Sequence, residues 1–119
     1  AEDNELNWEI ANELLVAQGF EVEHALNGEI CVEKFLASEP GHFDAVLMDI
    51  RMPVLNGYEA ARRIRASERA DSSLPIIAMT ADAFSEDIQR ALDSGMNAHV
   101  AKPIDMRELL RALDKCMQL

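Results

Sequence analysis

Apolar positions follow two different periods along this chain. In five segments, apolar residues recur every three or four positions, which is typical of helices with one buried face. Between these segments lie short runs: residues 20–25 alternate between apolar and polar, and 43–49 and 74–80 are nearly continuous apolar runs of the kind found in strands that are buried on both faces. The pattern predicts helices over residues 5–18, about 30–36, 58–66, 85–94 and 106–117, and strands over 20–25, 43–49, 74–80 and 98–101.

The first predicted helix contains several leucine and isoleucine residues that the helical period brings together. Leu6, Ile10, Leu14 and Leu15 fall on one helical face of segment 5–18. Gly19 is a suitable stop for this helix, because glycine readily adopts the left-handed conformation in which many helices end.

The order of the predicted elements indicates the fold class. Strands and helices alternate without exception, which is typical of an α/β fold with a parallel sheet and helices on both of its faces. Periodicity does not give the order of the strands within the sheet.

Length and composition narrow the function classes. The chain has 119 residues, which fits a single domain over 1–119, and about half of them are apolar, enough to form a core. The net charge of −11 argues against nucleic acid or an anionic membrane surface as the main partner, and it suits a site that binds cations. No apolar run approaches membrane-spanning length, so we predict no direct membrane contact and a cytoplasmic location.

Polar residues stand at the carboxyl ends of the predicted strands, where ligands bind in open parallel sheets. Asp49, Thr80 and Lys102 end or follow three strands. Glu2 and Asp3 come directly before the first helix, where a further strand would end. Each residue alone has an ordinary explanation as a cap, a β-branched strand residue or a solvated charge. Together they would bring three carboxylates, a hydroxyl and an ammonium group to one edge of the sheet, which chance does not readily explain.

This combination of groups suits phosphoryl chemistry. Clustered carboxylates repel each other unless a cation lies among them, and hard oxygen ligands select Mg²⁺ or a similar ion, which also binds phosphate. A carboxylate can attack phosphorus to form an acyl phosphate. The metal, an ammonium group and a hydroxyl can then hold the three phosphoryl oxygens and offset the developing charge. The residues therefore suit a Mg²⁺-dependent site at which a carboxylate accepts a phosphoryl group.

At these positions the chain resembles the receiver domain of bacterial-type two-component response regulators. The similarity spans essentially the whole chain in the family's order. The resemblance implies a flavodoxin-like (βα)5 fold, a doubly wound parallel sheet with strand order 2-1-3-4-5. The matching stretches are Glu2-Asp3-Asn4, Met48-Asp49-Ile50-Arg51-Met52-Pro53 with Asn56-Gly57, Met79-Thr80-Ala81 and Ala101-Lys102-Pro103.

The resemblance implies a role for each acidic residue of the site. Asp49 would be the phosphoacceptor. Asp3 and Asp49 would bind Mg²⁺ directly, together with the backbone carbonyl of Arg51. Glu2 would lie close to the ion and act through water.

The same resemblance implies a conformational switch. Thr80 would hydrogen-bond the phosphoryl group and move towards it, and Lys102 would pair with a phosphoryl oxygen. His99 stands where many receivers carry a switch aromatic residue whose ring swings inwards on phosphorylation, and a surface histidine at a strand edge is the comparable alternative. Phosphorylation would shift a pre-existing two-state equilibrium around Thr80 and His99.

Several stretches resemble one subgroup, the receivers of hybrid sensor histidine kinases. Such receivers exchange phosphoryl groups with a histidine kinase and with a histidine phosphotransfer helical bundle, which are the partners we expect. The domain would be no enzyme beyond catalysing its own aspartyl phosphorylation and dephosphorylation. A stand-alone receiver, an excised domain or the cytoplasmic part of a membrane-anchored sensor kinase fits equally. The stretches are Glu2-Asp3-Asn4-Glu5-Leu6-Asn7, Met79-Thr80-Ala81-Asp82-Ala83 and Gly95-Met96-Asn97.

The beginning of the chain departs from the family pattern. Family members have an apolar strand before the acidic pair, and here only Ala1 precedes Glu2. That strand would be central in the expected order, so its absence would leave two interior edges unpaired. We therefore expect a receiver domain with its first strand absent or nearly absent, truncated at the N-terminus of a longer natural chain. Strand exchange in a dimer is the alternative.

Two other functions stay open as alternatives. A hydrolase of the dehalogenase type also uses a strand-end aspartate, a lysine and Mg²⁺, but it needs a second aspartate where Arg51 stands. A receiver-like binding module that never takes phosphate usually lacks the acidic pair, the aspartate or the lysine, and this chain has all of them.

Overall fold

A computed structural model describes residues 1–2, 5–39, 41–50, 55–67, 74–80, 85–101 and 106–117. Within these ranges, helices and strands alternate from α2 onwards, and α2 follows α1 without a strand between them. No helix in these ranges is both long and apolar enough to cross a membrane. The elements are α1 (Glu5–Ala17), α2 (Gly28–Ala37), β1 (Val46–Asp49), α3 (Gly57–Ala66), β2 (Ile76–Thr80), α4 (Ser85–Asp93), β3 (Ala98–Ala101) and α5 (Met106–Met117).

The three strands form a parallel sheet in the order β1-β2-β3. Asp49 at the end of β1 pairs with Met79 of β2. Thr80, the last residue of β2, pairs with Ala101 at the end of β3. The strands therefore end side by side, and the last residues of the strands lie next to each other at the carboxyl edge of the sheet.

Residues 1–2 continue this sheet beyond β1. The Ala1 amino group donates to the Leu47 carbonyl at 2.6 Å, and the Asp49 N–H donates to the Ala1 carbonyl at 3.1 Å. These are the two bonds of a parallel pairing. On the other side, the Glu2 N–H donates to the Ala25 carbonyl at 3.0 Å. Residues 1–2 thus lie between Ala25 and β1, the place of the first strand in the order 2-1-3-4-5.

The strand predicted over 20–25 has no regular secondary structure. A ladder needs successive paired residues, and among the described residues one backbone hydrogen bond, from Glu2 to Ala25, joins this segment to residues 1–2. Phe20 and Val22 nevertheless pack against the apolar core, and Ala25 is buried. The alternating pattern therefore correctly indicated burial, while strand pairing depended on a neighbour that the pattern does not describe.

Both faces of the sheet are covered by apolar residues, which confirms the predicted layers. On one face, Ile76 and Ala78 of β2 pack with residues of α2, α3 and α4. On the other face, Ile77 and Met79 pack with residues of α1 and α5. Successive residues of a strand point to opposite faces, so the continuous apolar run of β2 is explained by burial on both sides.

Helix α1 turns a different side to the core from the one that its apolar residues indicated. Leu15 is buried, whereas Leu6 and Ile10 are 64% and 47% exposed. At 3.6 residues per turn, Leu6 and Leu15 lie on opposite sides of the helix, so the helix cannot bury both. Leu6 and Ile10 form an exposed apolar pair, here called the α1 stripe.

Arg65 of α3 links three parts of the chain at the amino ends of β2 and β3. Its Nε donates to the Gly95 carbonyl at 2.8 Å, its Nη1 to the Leu74 carbonyl at 2.7 Å, and its Nη2 to Asn97 Oδ1 at 2.7 Å. Burial lowers the pKa of the Arg65 guanidinium from its ordinary value, but an arginine stays charged at neutral pH. One planar cation therefore holds α3 against the loops that start two strands.

We expect Arg65→Met to lower the free energy of unfolding by about 2 kcal/mol, because three acceptors would lose a charged donor. Arg65→Lys should recover only part of this loss, since one ammonium group cannot reproduce the planar fork. Urea denaturation measures both. Arg62→Met is the matched control: Arg62 pairs with Glu59 on the exposed side of the same helix, and its loss should cost about 0.5 kcal/mol or less. Equal effects of Arg65→Met and Arg62→Met would contradict the linking role.

Candidate functional site at the carboxyl edge of the sheet

Two buried carboxylates stand next to each other at the carboxyl edge. Glu2 is 5% exposed and Asp49 is 3% exposed. Ala1 is paired between Leu47 and Asp49, which puts Glu2 level with Asp49 on the neighbouring segment. Adjacent strands are about 4.8 Å apart, so the structure brings these two predicted site residues together.

Thr80 lies on the other side of Asp49. It is fully buried, and its Oγ1 has no hydrogen-bond partner among the described residues. It follows Met79, the residue that pairs with Asp49. A buried hydroxyl without a partner costs roughly 1–3 kcal/mol, so this hydroxyl is a donor available to a ligand at the edge of the sheet.

The unsatisfied hydroxyl leads to a stability prediction. We expect Thr80→Val to raise the free energy of unfolding by about 1 kcal/mol, because valine fills the same space without a polar atom that needs a partner. Thr80→Ser keeps the hydroxyl and removes a buried methyl group, so it should lower that free energy by about 1 kcal/mol. Urea denaturation of the two variants checks the pair. A valine variant less stable than the wild type would show that the hydroxyl already has a partner in the resting protein.

Gly57 lets α3 begin directly behind Asp49. A Cβ atom at this position would lie 2.5 Å from the Asp49 carbonyl oxygen and 2.8 Å from the Ile50 Cα. The Gly57 N–H donates to the Ile50 carbonyl at 3.2 Å, and the Asn56 side chain caps the helix by accepting from the Glu59 N–H at 3.0 Å. The Asn-Gly pair, which the sequence marks as a turn, therefore lets α3 pack closely against the backbone of Asp49 and Ile50.

Of the remaining predicted site residues, one lies within the described part of the chain and three lie outside it. His99 is described and exposed on β3, where it pairs with Ala78. Asp3, Arg51 and Lys102 lie outside the described residues. In sequence, Asp3 follows the buried Glu2 and Lys102 follows the last residue of β3. The structure thus brings together Glu2, Asp49 and Thr80, and the assignments to the other residues stay predictions.

The groups at the edge fit a hard cation. Carboxylate oxygens are preferred ligands of Mg²⁺, which keeps several waters and needs only one or two carboxylates from a protein. Glu2 and Asp49 supply two carboxylates, and the described part of the chain holds no group of three or more histidine, cysteine, aspartate or glutamate side chains that could hold a metal. The two carboxylates are therefore a donor set that fits Mg²⁺.

The sequence patterns did not indicate two aromatic residues near Glu2, which are His24 and Trp8. His24 Nε2 lies 2.7 Å from the Glu2 carbonyl oxygen. The His24 ring stacks on Trp8 of α1, with centroids 4.2 Å apart and planes 4° apart. The alternation over 20–25 placed His24 in a strand, and Trp8 was read as part of a helix. A contact between the two rings depends on tertiary packing, which neither period encodes.

The chain matches known proteins along most of its length. The family model of the response regulator receiver domain matches residues 1–114. The chain is 36% identical over 117 residues to hybrid signal transduction histidine kinase L of Dictyostelium discoideum, covering 96% of this chain and 7% of that protein. This chain therefore spans only a small part of the length of that relative.

Solved structures show the same fold. The receiver domain of a sensor histidine kinase from Pseudomonas aeruginosa PAO1, with a magnesium ion coordinated in its active site cleft, is 38% identical with a TM-score of 0.88 over 100% of this chain and 94% of that one. A chain in the co-crystal structure of the Saccharomyces cerevisiae histidine phosphotransfer signaling protein Ypd1 with the receiver domain of its downstream response regulator Ssk1 is 28% identical, with a TM-score of 0.84 over 98% of this chain and 85% of that one. The protein therefore belongs to the response regulator receiver domain family and has its flavodoxin-like fold.

Proposed function

We propose that this chain is the phospho-accepting receiver of a two-component phosphorelay, in which Asp49 takes a phosphoryl group from a phosphohistidine. One observation carries the proposal: the buried Thr80 hydroxyl has no partner among the described residues, on the strand next to Asp49. The cost of burying this donor is offset when a phosphoryl oxygen accepts its hydrogen bond. A protein that never binds a ligand at this edge would be more stable with an apolar residue at position 80.

The proposed reaction is an in-line transfer to a carboxylate. An Asp49 carboxylate oxygen attacks the phosphorus of the donor, the phosphorus–nitrogen bond breaks, and the donor imidazole leaves as the acyl phosphate forms. Thr80 donates to one phosphoryl oxygen, and Lys102 pairs with another. Water later attacks the acyl phosphate and releases inorganic phosphate, so the domain catalyses its own phosphorylation and dephosphorylation without acting on a separate substrate.

Carboxylates at this edge of the sheet would hold the cation that this chemistry needs. Asp3, Asp49 and the backbone carbonyl of Arg51 would bind Mg²⁺, and Glu2 would lie beside it. Bound Mg²⁺ supplies positive charge that offsets the charge of the phosphoryl oxygens. The two buried carboxylates of Glu2 and Asp49 support this assignment, as does the magnesium ion in the similar Pseudomonas receiver.

A shift of Thr80 towards the phosphoryl group would carry the signal away from the site. Thr80 pairs with Ala101 on the edge strand that also carries His99. We infer that phosphorylation changes the population of two arrangements of this edge, with the exposed His99 as part of the surface that reports the change.

The proposed partners are a histidine kinase and a histidine phosphotransfer helical bundle, on the cytoplasmic side where ATP supplies the phosphate. The similarity to hybrid histidine kinases and to a receiver solved with Ypd1 supports them.

The α1 stripe is a suitable contact for a histidine phosphotransfer bundle, because α1 begins shortly after Glu2 and because Leu6 and Ile10 are exposed. An apolar patch at the rim of a site is a common feature of protein interfaces.

Replacing both residues of the α1 stripe, as Leu6→Ala with Ile10→Ala, should slow transfer from a phosphorylated histidine phosphotransfer protein by roughly 10-fold, since about 1.4 kcal/mol of contact would be lost. Stopped-flow or gel assays of phosphotransfer measure this. Phosphorylation by acetyl phosphate should not change, because that donor needs no protein contact. Val16→Ala is the matched control: Val16 is 54% exposed and lies about 15 Å from Leu6 along the same helix. Equal slowing by Val16→Ala would reject the stripe as the contact.

Incubation with acetyl phosphate, with and without Mg²⁺, tests the proposed function as a whole. A receiver gains the mass of one phosphoryl group, and only when Mg²⁺ is present. Continuous turnover of a bulk phosphate ester would support the hydrolase alternative. A folded protein that gains no phosphoryl group under any of these conditions would support the inert binding module.

A further inference from the structure

Glu2 is attached twice to the segment beside it. Its N–H donates to the Ala25 carbonyl at 3.0 Å, and its carbonyl oxygen lies 2.7 Å from His24 Nε2. A carbonyl oxygen only accepts, so Nε2 carries the proton of this hydrogen bond. In a regular parallel ladder a backbone N–H of the neighbouring strand would bond this carbonyl. Here an imidazole N–H bonds it, from a segment that forms no regular strand.

The orientation of the imidazole is set by its neighbours. The Trp8 ring covers one face of the His24 ring at 4.2 Å and is nearly parallel to it. The His24 backbone is held as well, because Lys34 Nζ donates to its carbonyl. A ring that is stacked on one face and anchored through its backbone has little freedom to tilt, so its Nε2–H stays directed at Glu2.

We propose that His24, oriented by Trp8, is a positioning residue that holds Glu2 level with Asp49 and thereby sets the cation affinity of the carboxylate site. This inference rests on the proposed function, because it assumes that Asp49 binds Mg²⁺ with Glu2 beside the ion. His24 acts through the backbone of Glu2 and is not itself a metal ligand. Residues that orient metal-binding groups in this way typically change metal affinity by about 10-fold to 100-fold when replaced.

Calorimetric titration with MgCl₂ tests the proposal on the wild type and on four variants. His24→Leu removes the N–H and should raise the Kd for Mg²⁺ by about 10-fold. His24→Gln restores an N–H donor of similar reach and should recover most of that loss. Trp8→Phe keeps a stacking ring and should bind nearly as the wild type does. His42→Gln is the matched control, since His42 pairs with the exposed Glu23 and should leave the Kd unchanged.

A second readout separates positioning from a merely structural role. The chain has one tryptophan, and it contacts the side chain at position 24, so its emission reports on the surroundings of that side chain. Mg²⁺ should change the emission of the wild type and of His24→Gln, and the change should be lost in His24→Leu. Urea denaturation without Mg²⁺ shows whether a variant is folded.

The outcomes are distinguishable. If folded His24→Leu binds Mg²⁺ with the wild-type Kd, the positioning role is wrong while the proposed function stands. If His24→Gln is as weak as His24→Leu, the N–H is not what matters and the inference also fails. If the wild type binds no Mg²⁺ and takes no phosphoryl group from acetyl phosphate, the proposed function fails and the positioning role falls with it.

Discussion

Replacement of Asp49 by asparagine should abolish phosphorylation by acetyl phosphate and by phosphohistidine donors. The side chain keeps its size, so the fold should persist, but an amide lacks the anionic oxygen that attacks phosphorus. Loss of a nucleophile typically lowers a rate by roughly a thousandfold or more. Intact mass spectrometry after incubation with acetyl phosphate and Mg²⁺ should therefore show only the unmodified variant.

Asp44→Asn is the matched control for this result. Asp44 is exposed and stands five positions before Asp49, outside β1, so its replacement should leave the phosphorylated fraction unchanged. A phosphorylated Asp49→Asn variant would mean that another carboxylate, such as Glu2, accepts the group, and the assignment of Asp49 would then be wrong.

Gly57→Ala should lower the free energy of unfolding by about 3 kcal/mol. The new Cβ would approach the Asp49 carbonyl oxygen to 2.5 Å and the Ile50 Cα to 2.8 Å. Both are backbone atoms that cannot rotate away, and overpacking of this kind typically costs about 1–3 kcal/mol. The expected sign is informative, because alanine in place of a helical glycine would otherwise stabilise the protein by about 1 kcal/mol.

Gly19→Ala serves as the comparison for Gly57→Ala. Gly19 has a φ of 90° and nothing within 4 Å of its would-be Cβ, so only the backbone conformation opposes the change, at about 1–2 kcal/mol. Urea denaturation of both variants separates steric contact from conformational strain. If Gly57→Ala were as stable as the wild type or more so, α3 would not pack against the backbone of Asp49 as described.

The elements of the fold were predictable because each carries a local signal. The run over 74–80 indicated a strand buried on both sides, and β2 is buried throughout. The face of α1 was not predictable, because Leu6 and Leu15 are equally apolar and the choice between them depends on what packs against the helix. The segment over 20–25 failed as a strand for a related reason: pairing depends on a neighbour far away in sequence.

The candidate site was predictable to the extent that it lies at strand ends. Asp49 and Thr80 close β1 and β2, and the chain order of parallel strands is enough to bring them to one edge. Three other features depend on tertiary packing: the Thr80 hydroxyl is buried with no partner among the described residues, Gly57 packs against the Asp49 backbone, and His24 hydrogen-bonds the Glu2 carbonyl. Their residues have no spacing along the chain that carries a periodic signal.

The central claim is that Asp49 carries the phosphoryl group as an acyl phosphate, and one measurement tests it directly. Borohydride reduces an aspartyl phosphate to homoserine, which marks the modified position permanently. After treatment with acetyl phosphate and Mg²⁺, reduction and proteolysis, peptide mass spectrometry should find homoserine at position 49 and an unchanged peptide when Mg²⁺ is withheld. Homoserine at another aspartate, or an unchanged Asp49 in a protein that has gained a phosphoryl group, would contradict the account.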